Sequence, residues 1–146
     1  VKFTIMDFTD MIQTNQVVIK LSVSNVPVAQ KFYTEKLGFK VVPDYTINKG
    51  GTYEKDSYIQ LTNEGMEHKV ALGLYKDIDE PLQPEDTGTA PTFIVKDIDS
   101  VRQYLLSEGV DVSDIVENTS DKGYIDRFAF FSDPDNNTLA IRQNMN

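Results

Sequence analysis

The feature that most constrains this chain is an internal repeat with an offset of 72 residues. The first copy opens with an alternating apolar stretch at 17–24, VVIKLSVS, and continues through a capping Asn25 into an amphipathic helix that ends at Gly38. Residues 92–112, TFIVKDIDSVRQYLLSEGVDV, repeat the same order of strand, cap, helix and glycine. Each copy then continues into a hairpin. The sequence therefore predicts a duplicated βαβββ unit.

The repeat sets the expected domain organisation. We predict an N-terminal arm at 1–16, a first βαβββ module at 17–75, an acidic linker at 76–89 and a second module at 90–146. The arm alternates at 3–8, FTIMDF, in a way that could add an edge strand. The expected fold is α+β, a single structural domain in which two tandem modules form a curled mixed sheet around a cavity.

Charge and residue usage exclude several functions. With 14 basic and 23 acidic residues, the formal charge of -9 disfavours binding to nucleic acid or to an anionic membrane. The chain has no cysteine, which excludes a disulfide framework and a thiolate nucleophile, and its one histidine, His68, excludes a multi-histidine metal site. It shows neither a signal peptide nor an apolar run near the roughly 20 residues of a membrane span, so we expect a cytoplasmic protein.

Two stretches resemble a known family. Residues 23–42, VSNVPVAQKFYTEKLGFKVV, and 127–141, RFAFFSDPDNNTLAI, are similar to the vicinal oxygen chelate superfamily, which includes glyoxalases, bleomycin resistance proteins and extradiol dioxygenases. The resemblance extends over about 17–143 and covers both modules. It implies the glyoxalase/bleomycin-resistance fold.

The resemblance also implies where a metal would bind. Enzymes of the superfamily hold a divalent metal with four side chains, and the matching positions here are Val18, Leu72, Ala90 and Ala140. Alkyl side chains offer no lone pair to a cation. We therefore expect no metal and no cofactor, which weighs against glyoxalase I and extradiol dioxygenase chemistry. The DPDNN turn at 133–137 has two carboxylates, but Asp and Asn in a hairpin usually cap their own backbone.

Alternation predicts the residues that line the cavity. The predicted ligand-binding set comprises Val18, Lys20, Ser22, His68, Val70, Leu72, Leu74, Ala90, Thr92, Ile94, Tyr124, Ala140 and Arg142. Lys20 and Arg142 could orient an acidic group of a ligand, or could instead extend to solvent or pair with a neighbouring acid. His68 lies at a polar turn, where a surface position is the simpler interpretation.

Three functions remain open. The first is a metal-free module that binds a small organic compound, as bleomycin-resistance relatives do, and forms a homodimer. The second is a lyase, isomerase or dioxygenase-like enzyme that uses non-standard or displaced residues, such as Lys20 or His68 as a proton carrier. The third is a structural dimer without a ligand. No catalytic residue can be assigned from the sequence.

Overall fold

The computed structural model describes residues 8–86 and 88–146, and within them it shows the predicted duplication. The first module contains β1 (Val17–Val23), α1 (Val26–Lys31), β2 (Lys40–Ile47), β3 (Tyr58–Thr62) and β4 (Val70–Lys76). The second contains β5 (Thr92–Ile94), α2 (Ile98–Ser107), β6 (Val116–Thr119), β7 (Ile125–Ser132) and β8 (Thr138–Asn144). Helix α1 continues as a π-helical turn at Phe32–Lys36.

Each module forms its own four-stranded sheet. The strand order is β1-β4-β3-β2 in the first sheet and β5-β8-β7-β6 in the second. In both, the first strand runs parallel to the last strand of its module, and the remaining pairs are antiparallel. The predicted α+β fold of two βαβββ modules is confirmed.

Both helices begin at the residues that the repeat predicts. Asn25 accepts a hydrogen bond of 3.1 Å from the Val28 N–H, and Asp97, 72 residues later, accepts one of 3.4 Å from the Ser100 N–H. These side chains satisfy N–H groups that have no partner within the helix. The predicted stop at Gly38 is also present, with a φ of 74° that favours glycine.

One face of each sheet is buried with the helices in a shared core. In the first module, Leu21 and Leu72 pack in the same cluster as Ala29 and Tyr33 of the helical segment. The core also joins the modules, because the Phe39 and Phe93 rings lie 6.1 Å apart. No helix among the described residues covers the opposite face of either sheet, and this face is called its open face.

Two segments lie outside the modules, the N-terminal arm and the linker. The predicted arm strand at 3–8 lies outside the described residues except for Phe8, which begins a 3-10 turn at Phe8–Met11. The linker contacts the second module, since the Leu82 N–H donates to the Asp135 carbonyl at 2.9 Å. No helix in the described ranges is long and apolar enough to cross a membrane.

Candidate functional site

The register of β1 and β4 defines the open face of the first sheet. Val18 pairs with Ala71, Lys20 with Gly73 and Ser22 with Tyr75. Paired residues of neighbouring strands point to the same side, so these six side-chain positions share the open face.

Three residues of the predicted binding set lie on the other face. Val70, Leu72 and Leu74 pair with Val17, Ile19 and Leu21, and the last two of the three are completely buried in the core. The prediction that they line a cavity with Val18 is therefore wrong. Strand β4 lies inside the sheet and is apolar on both faces, so its sequence carries no polarity signal that distinguishes them.

Lys20 and Lys40 lie on this open face, and Lys40 pairs with Glu64 at 3.5 Å. Lys20 Nζ lies 4.3 Å from the centroid of the Tyr75 ring, and no carboxylate of the described residues lies within ion-pairing distance of it. The Tyr75 hydroxyl donates a hydrogen bond of 2.5 Å to Asp56 Oδ1. This bond lowers the pKa of Asp56 and raises the pKa of Tyr75. Ser22 is also engaged, because its Oγ donates to Asp77 Oδ2 at 3.0 Å.

Beside Lys20, the open face has an aromatic surface, formed by Tyr58 and Tyr75, that sequence reasoning missed. Tyr58 stands opposite Tyr75, and its hydroxyl donates to Gln60 Oε1 at 3.0 Å. Burial raises the pKa of Tyr58. Gly73 makes room for the ring, since a Cβ there would lie 2.6 Å from the Tyr58 hydroxyl oxygen. The alternation in YIQLT at 58–62 was the available signal, because Tyr58, Gln60 and Thr62 fall on one side.

The open face of the second sheet exposes larger apolar side chains than the open face of the first. Thr92 pairs with Ala140 and Ile94 with Arg142, so these four predicted residues share a face. Phe130 pairs with Ala140 on the same face, and its side chain is 44% exposed while that of Ile94 is 59% exposed. Ala90 precedes β5, is exposed, and accepts a hydrogen bond of 2.9 Å from Thr92 Oγ1 through its carbonyl.

Arg142 already has partners on this face. Its Nε donates to Asn144 Oδ1 at 2.8 Å and lies 3.9 Å from Asp126 Oδ2. Arg142, Asp126 and the exposed Tyr124 line a cleft of about 280 Å³. Arg142 is therefore partly neutralised, in contrast to Lys20.

His68 lies in the turn before β4 and not in the strand. Its backbone is left-handed, with a φ of 57°, and its Nδ1 lies 2.7 Å from Thr62 Oγ1. Its carbonyl accepts a hydrogen bond of 2.8 Å from Gln16 Nε2. The structure places His68 in an exposed turn at the end of the sheet, in agreement with the surface interpretation, so its inclusion among the cavity-lining residues is wrong.

The residues at the expected metal positions do not fit a metal. Leu72 lies in the core, and the open-face positions of the same strand are Ala71 and Gly73, which have no donor side chain. Val18 and Ala140 are likewise alkyl. Across residues 8–86 and 88–146, no three His, Asp or Glu side chains are grouped so that they could hold a metal ion.

The DPDNN turn has a role that the sequence did not reveal. Asp133 accepts hydrogen bonds from the N–H groups of Asp135 and Asn137, at 2.9 and 2.8 Å, and thereby caps its own turn as expected. It also accepts one of 2.7 Å from the Tyr33 hydroxyl of the first module. Burial raises the pKa of Asp133, while its hydrogen bonds from Tyr33 and Asn137 act in the opposite direction.

Two further contacts attach this turn to the end of β1. Asp135 Oδ1 accepts from the Ser24 N–H at 2.9 Å and from its Oγ at 2.5 Å. Asn137 Nδ2 donates to the Ser22 carbonyl at 2.8 Å. The turn therefore fastens the second module to the first, and its two carboxylates are structural.

A family model identifies the chain. The Glyoxalase/Bleomycin resistance protein/Dioxygenase superfamily matches residues 14–141, and the chain belongs to this superfamily. The duplicated βαβββ fold agrees with this assignment. No curated protein matches the chain.

Solved structures share the fold. A glyoxalase/bleomycin resistance protein/dioxygenase from Alicyclobacillus acidocaldarius is 16% identical with a TM-score of 0.67, covering 92% of this chain and 96% of that one. A glyoxalase family protein from Enterococcus faecalis is 24% identical with a TM-score of 0.64, covering 89% and 96%. TnmS3, an antibiotic binding protein from Streptomyces sp. CB03234, is 20% identical with a TM-score of 0.59, covering 87% and 93%.

Proposed function

We propose that this protein binds a small organic compound with one acidic group on the open face of its first sheet, without a metal. The observation that carries the proposal is Lys20, a cation that lies over the Tyr75 ring with no acidic partner within ion-pairing distance in the described part of the chain. The superfamily and the antibiotic-binding neighbour support a binding role.

The neighbours of Lys20 favour a flat ligand. Tyr58 and Tyr75 stand opposite each other on adjacent strands, and Val18 adds an aliphatic contact that is 42% exposed. Gln60 is buried beneath them and positions the Tyr58 ring by accepting its hydroxyl hydrogen bond. An apolar surface with a few convergent polar groups is typical of organic-ligand sites.

Substitution of Lys20 tests this proposal. A thermal-shift screen compares small aromatic acids with cationic compounds on the wild type and on Lys20→Met. We expect acids to stabilise the wild type, with affinity at least about tenfold lower in the variant, because a charge-assisted contact contributes roughly 1.5–3 kcal/mol. The control is Lys31→Met, which removes the same charge from an exposed position at the end of helix α1. Stabilisation by cations alone, or equal loss in both variants, would contradict the proposal.

We also propose that the chain forms a homodimer. Strands β1 and β5 are sheet edges, and the open face of the second sheet exposes Ile94, Phe130 and Val116. Exposed edges and apolar patches of this kind are normally covered by a partner. Sedimentation should give about twice the chain mass of 16.5 kDa. Phe130→Lys should shift the protein towards monomer, whereas a wild-type monomer at high micromolar concentration would rule the dimer out.

A further inference from the structure

A cavity of about 410 Å³ lies between the modules on the helix side of the sheets, away from the open faces. Its lining is mostly apolar and comes from both modules, with Leu37, Met66, Phe93, Val95, Val101 and Leu105 among the lining residues. The volume falls in the range of small-molecule sites.

The internal repeat explains why this cavity exists. With the offset of 72, Phe93, Val95 and Val101 correspond to Leu21, Val23 and Ala29. The latter three are 3%, 0% and 0% exposed, whereas their counterparts in the second module are only partly buried. These inner wall residues are therefore covered in the first module and partly open in the second, while the outer part of the equivalent position, beside Phe32, Val110 and Asp133, is a cleft of about 610 Å³.

In the first module, Tyr33 is buried in the same cluster as the inner wall residues Leu21, Val23 and Ala29. Its ring is completely buried, and its hydroxyl reaches Asp133 in the hairpin turn of the other module. The repeat places Leu105 at the position of Tyr33. Leucine lacks the outer part of the ring and the hydroxyl, so the corresponding space in the second half has no side chain of its own to fill it.

The cavity at Leu105 also has a hydrogen-bond acceptor where, in the other half, Asp133 accepts the Tyr33 hydroxyl. Asn63 corresponds to Asp133 at an offset of 70 in this part of the repeat, because Leu61 and Phe131, two residues earlier, pair with Leu72 and Leu139 at the same place in their sheets. Each also accepts a hydrogen bond from the N–H two residues ahead, at 2.8 Å for Asn63 and 2.9 Å for Asp133. Asn63 lines the cavity, and its amide oxygen has a second lone pair.

We propose that this cavity binds a phenol-like molecule, one aromatic ring with a hydroxyl group, in the position that Tyr33 fills in the other half. The ring contacts Phe93, Val95 and Met66, and the hydroxyl donates to Asn63 Oδ1. This site is separate from the Lys20 face and does not depend on the function proposed above.

The test uses 4-methylphenol, which reproduces the tyrosine side chain, and toluene, which lacks the hydroxyl. Titration of the wild-type protein, followed by NMR, should show saturable binding of one 4-methylphenol per chain. Nuclear Overhauser contacts should join its ring protons to the methyl groups of Met66 and Leu105. Toluene should bind about fivefold more weakly, because it cannot make the hydrogen bond.

Two variants test the location of the site. Leu105→Tyr should abolish binding and raise the melting temperature, because the new ring occupies the cavity, while Leu106→Tyr on the exposed side of α2 should bind as the wild type does. Lys20→Met should also leave 4-methylphenol binding unchanged. The proposal is overturned by the absence of saturable binding, by Overhauser contacts to the open faces alone, or by unchanged binding in a folded Leu105→Tyr protein. A second chain as the occupant, seen as a dimer that excludes 4-methylphenol, would also overturn it.

Discussion

The Tyr33 hydroxyl donates a 2.7 Å hydrogen bond to Asp133 Oδ2, joining residues that are 100 positions apart in the chain. Both side chains are buried, with 0% and 4% exposure, and they come from different modules. Together with the Ser24–Asp135 contact, this bond makes the two modules depend on each other for stability.

Removing this hydroxyl should therefore destabilise the whole chain. Tyr33→Phe keeps the ring but leaves Asp133 without one donor, and we expect the free energy of unfolding to fall by about 1–3 kcal/mol. The control is Tyr104→Phe, whose hydroxyl donates to the Lys36 carbonyl at 2.8 Å on an exposed surface. Urea unfolding of both variants measures the difference, and an equal loss in the two would show that the buried bond has no special role.

Asp133 should also give a distinct pH dependence. Burial raises the pKa of this carboxyl in the folded state, so folding favours its protonated form. The stabilising contribution is complete below the unfolded pKa and is lost as the pH rises through the higher folded pKa. Relative to Asp133→Asn, the wild type should therefore lose unfolding free energy as the pH rises from about 4 towards neutrality. If the unfolding free energies of the two proteins change with pH in parallel, the predicted loss of stability with rising pH is wrong.

Gly73 should be required by the aromatic surface around Lys20. In Gly73→Ala, the new Cβ would lie 2.6 Å from the Tyr58 hydroxyl oxygen and 2.7 Å from its ring carbon Cε2. The ring must therefore move and lose its hydrogen bond to Gln60. We expect a loss of about 1–3 kcal/mol in stability. The same substitution in a Tyr58→Ala background should cost much less, and a double-mutant cycle from chemical denaturation measures the coupling. If the losses of stability in the two single variants simply add in the double variant, the contact between residue 73 and Tyr58 does not cause the loss in Gly73→Ala.

Metal analysis should find no stoichiometric divalent metal at the positions of Val18, Leu72, Ala90 and Ala140. Ala71, Gly73 and Ala140 lack donor atoms, and Val18 presents only methyl groups towards the open face. After incubation with zinc, nickel or manganese and dialysis, we expect well below one equivalent per chain by mass spectrometry. One retained equivalent that is lost on substituting Thr92 or Lys20 would contradict the expectation.

Much of the fold could be predicted because its signals are local. Asn25 and Asp97 cap helices through hydrogen bonds within three residues, and alternation identifies β1 without any information from the rest of the molecule. The site was less predictable. Lys20, Ser22, Thr92, Ile94 and Arg142 lie on the open faces as alternation indicates, but Tyr58 and Tyr75 were missed because aromatic residues in strands are more often part of a core.

The sequence by itself determined the duplication, the helix starts and the hairpins, since each follows from spacing and side-chain chemistry over a few residues. Only the tertiary structure decided which face of β4 points to the core, because VALGLY is apolar on both sides and its register depends on pairing with β1. Only the tertiary structure also brought Tyr33 to Asp133. No local rule links residues so far apart, and packing of the two modules alone creates that contact and the cavity at Leu105.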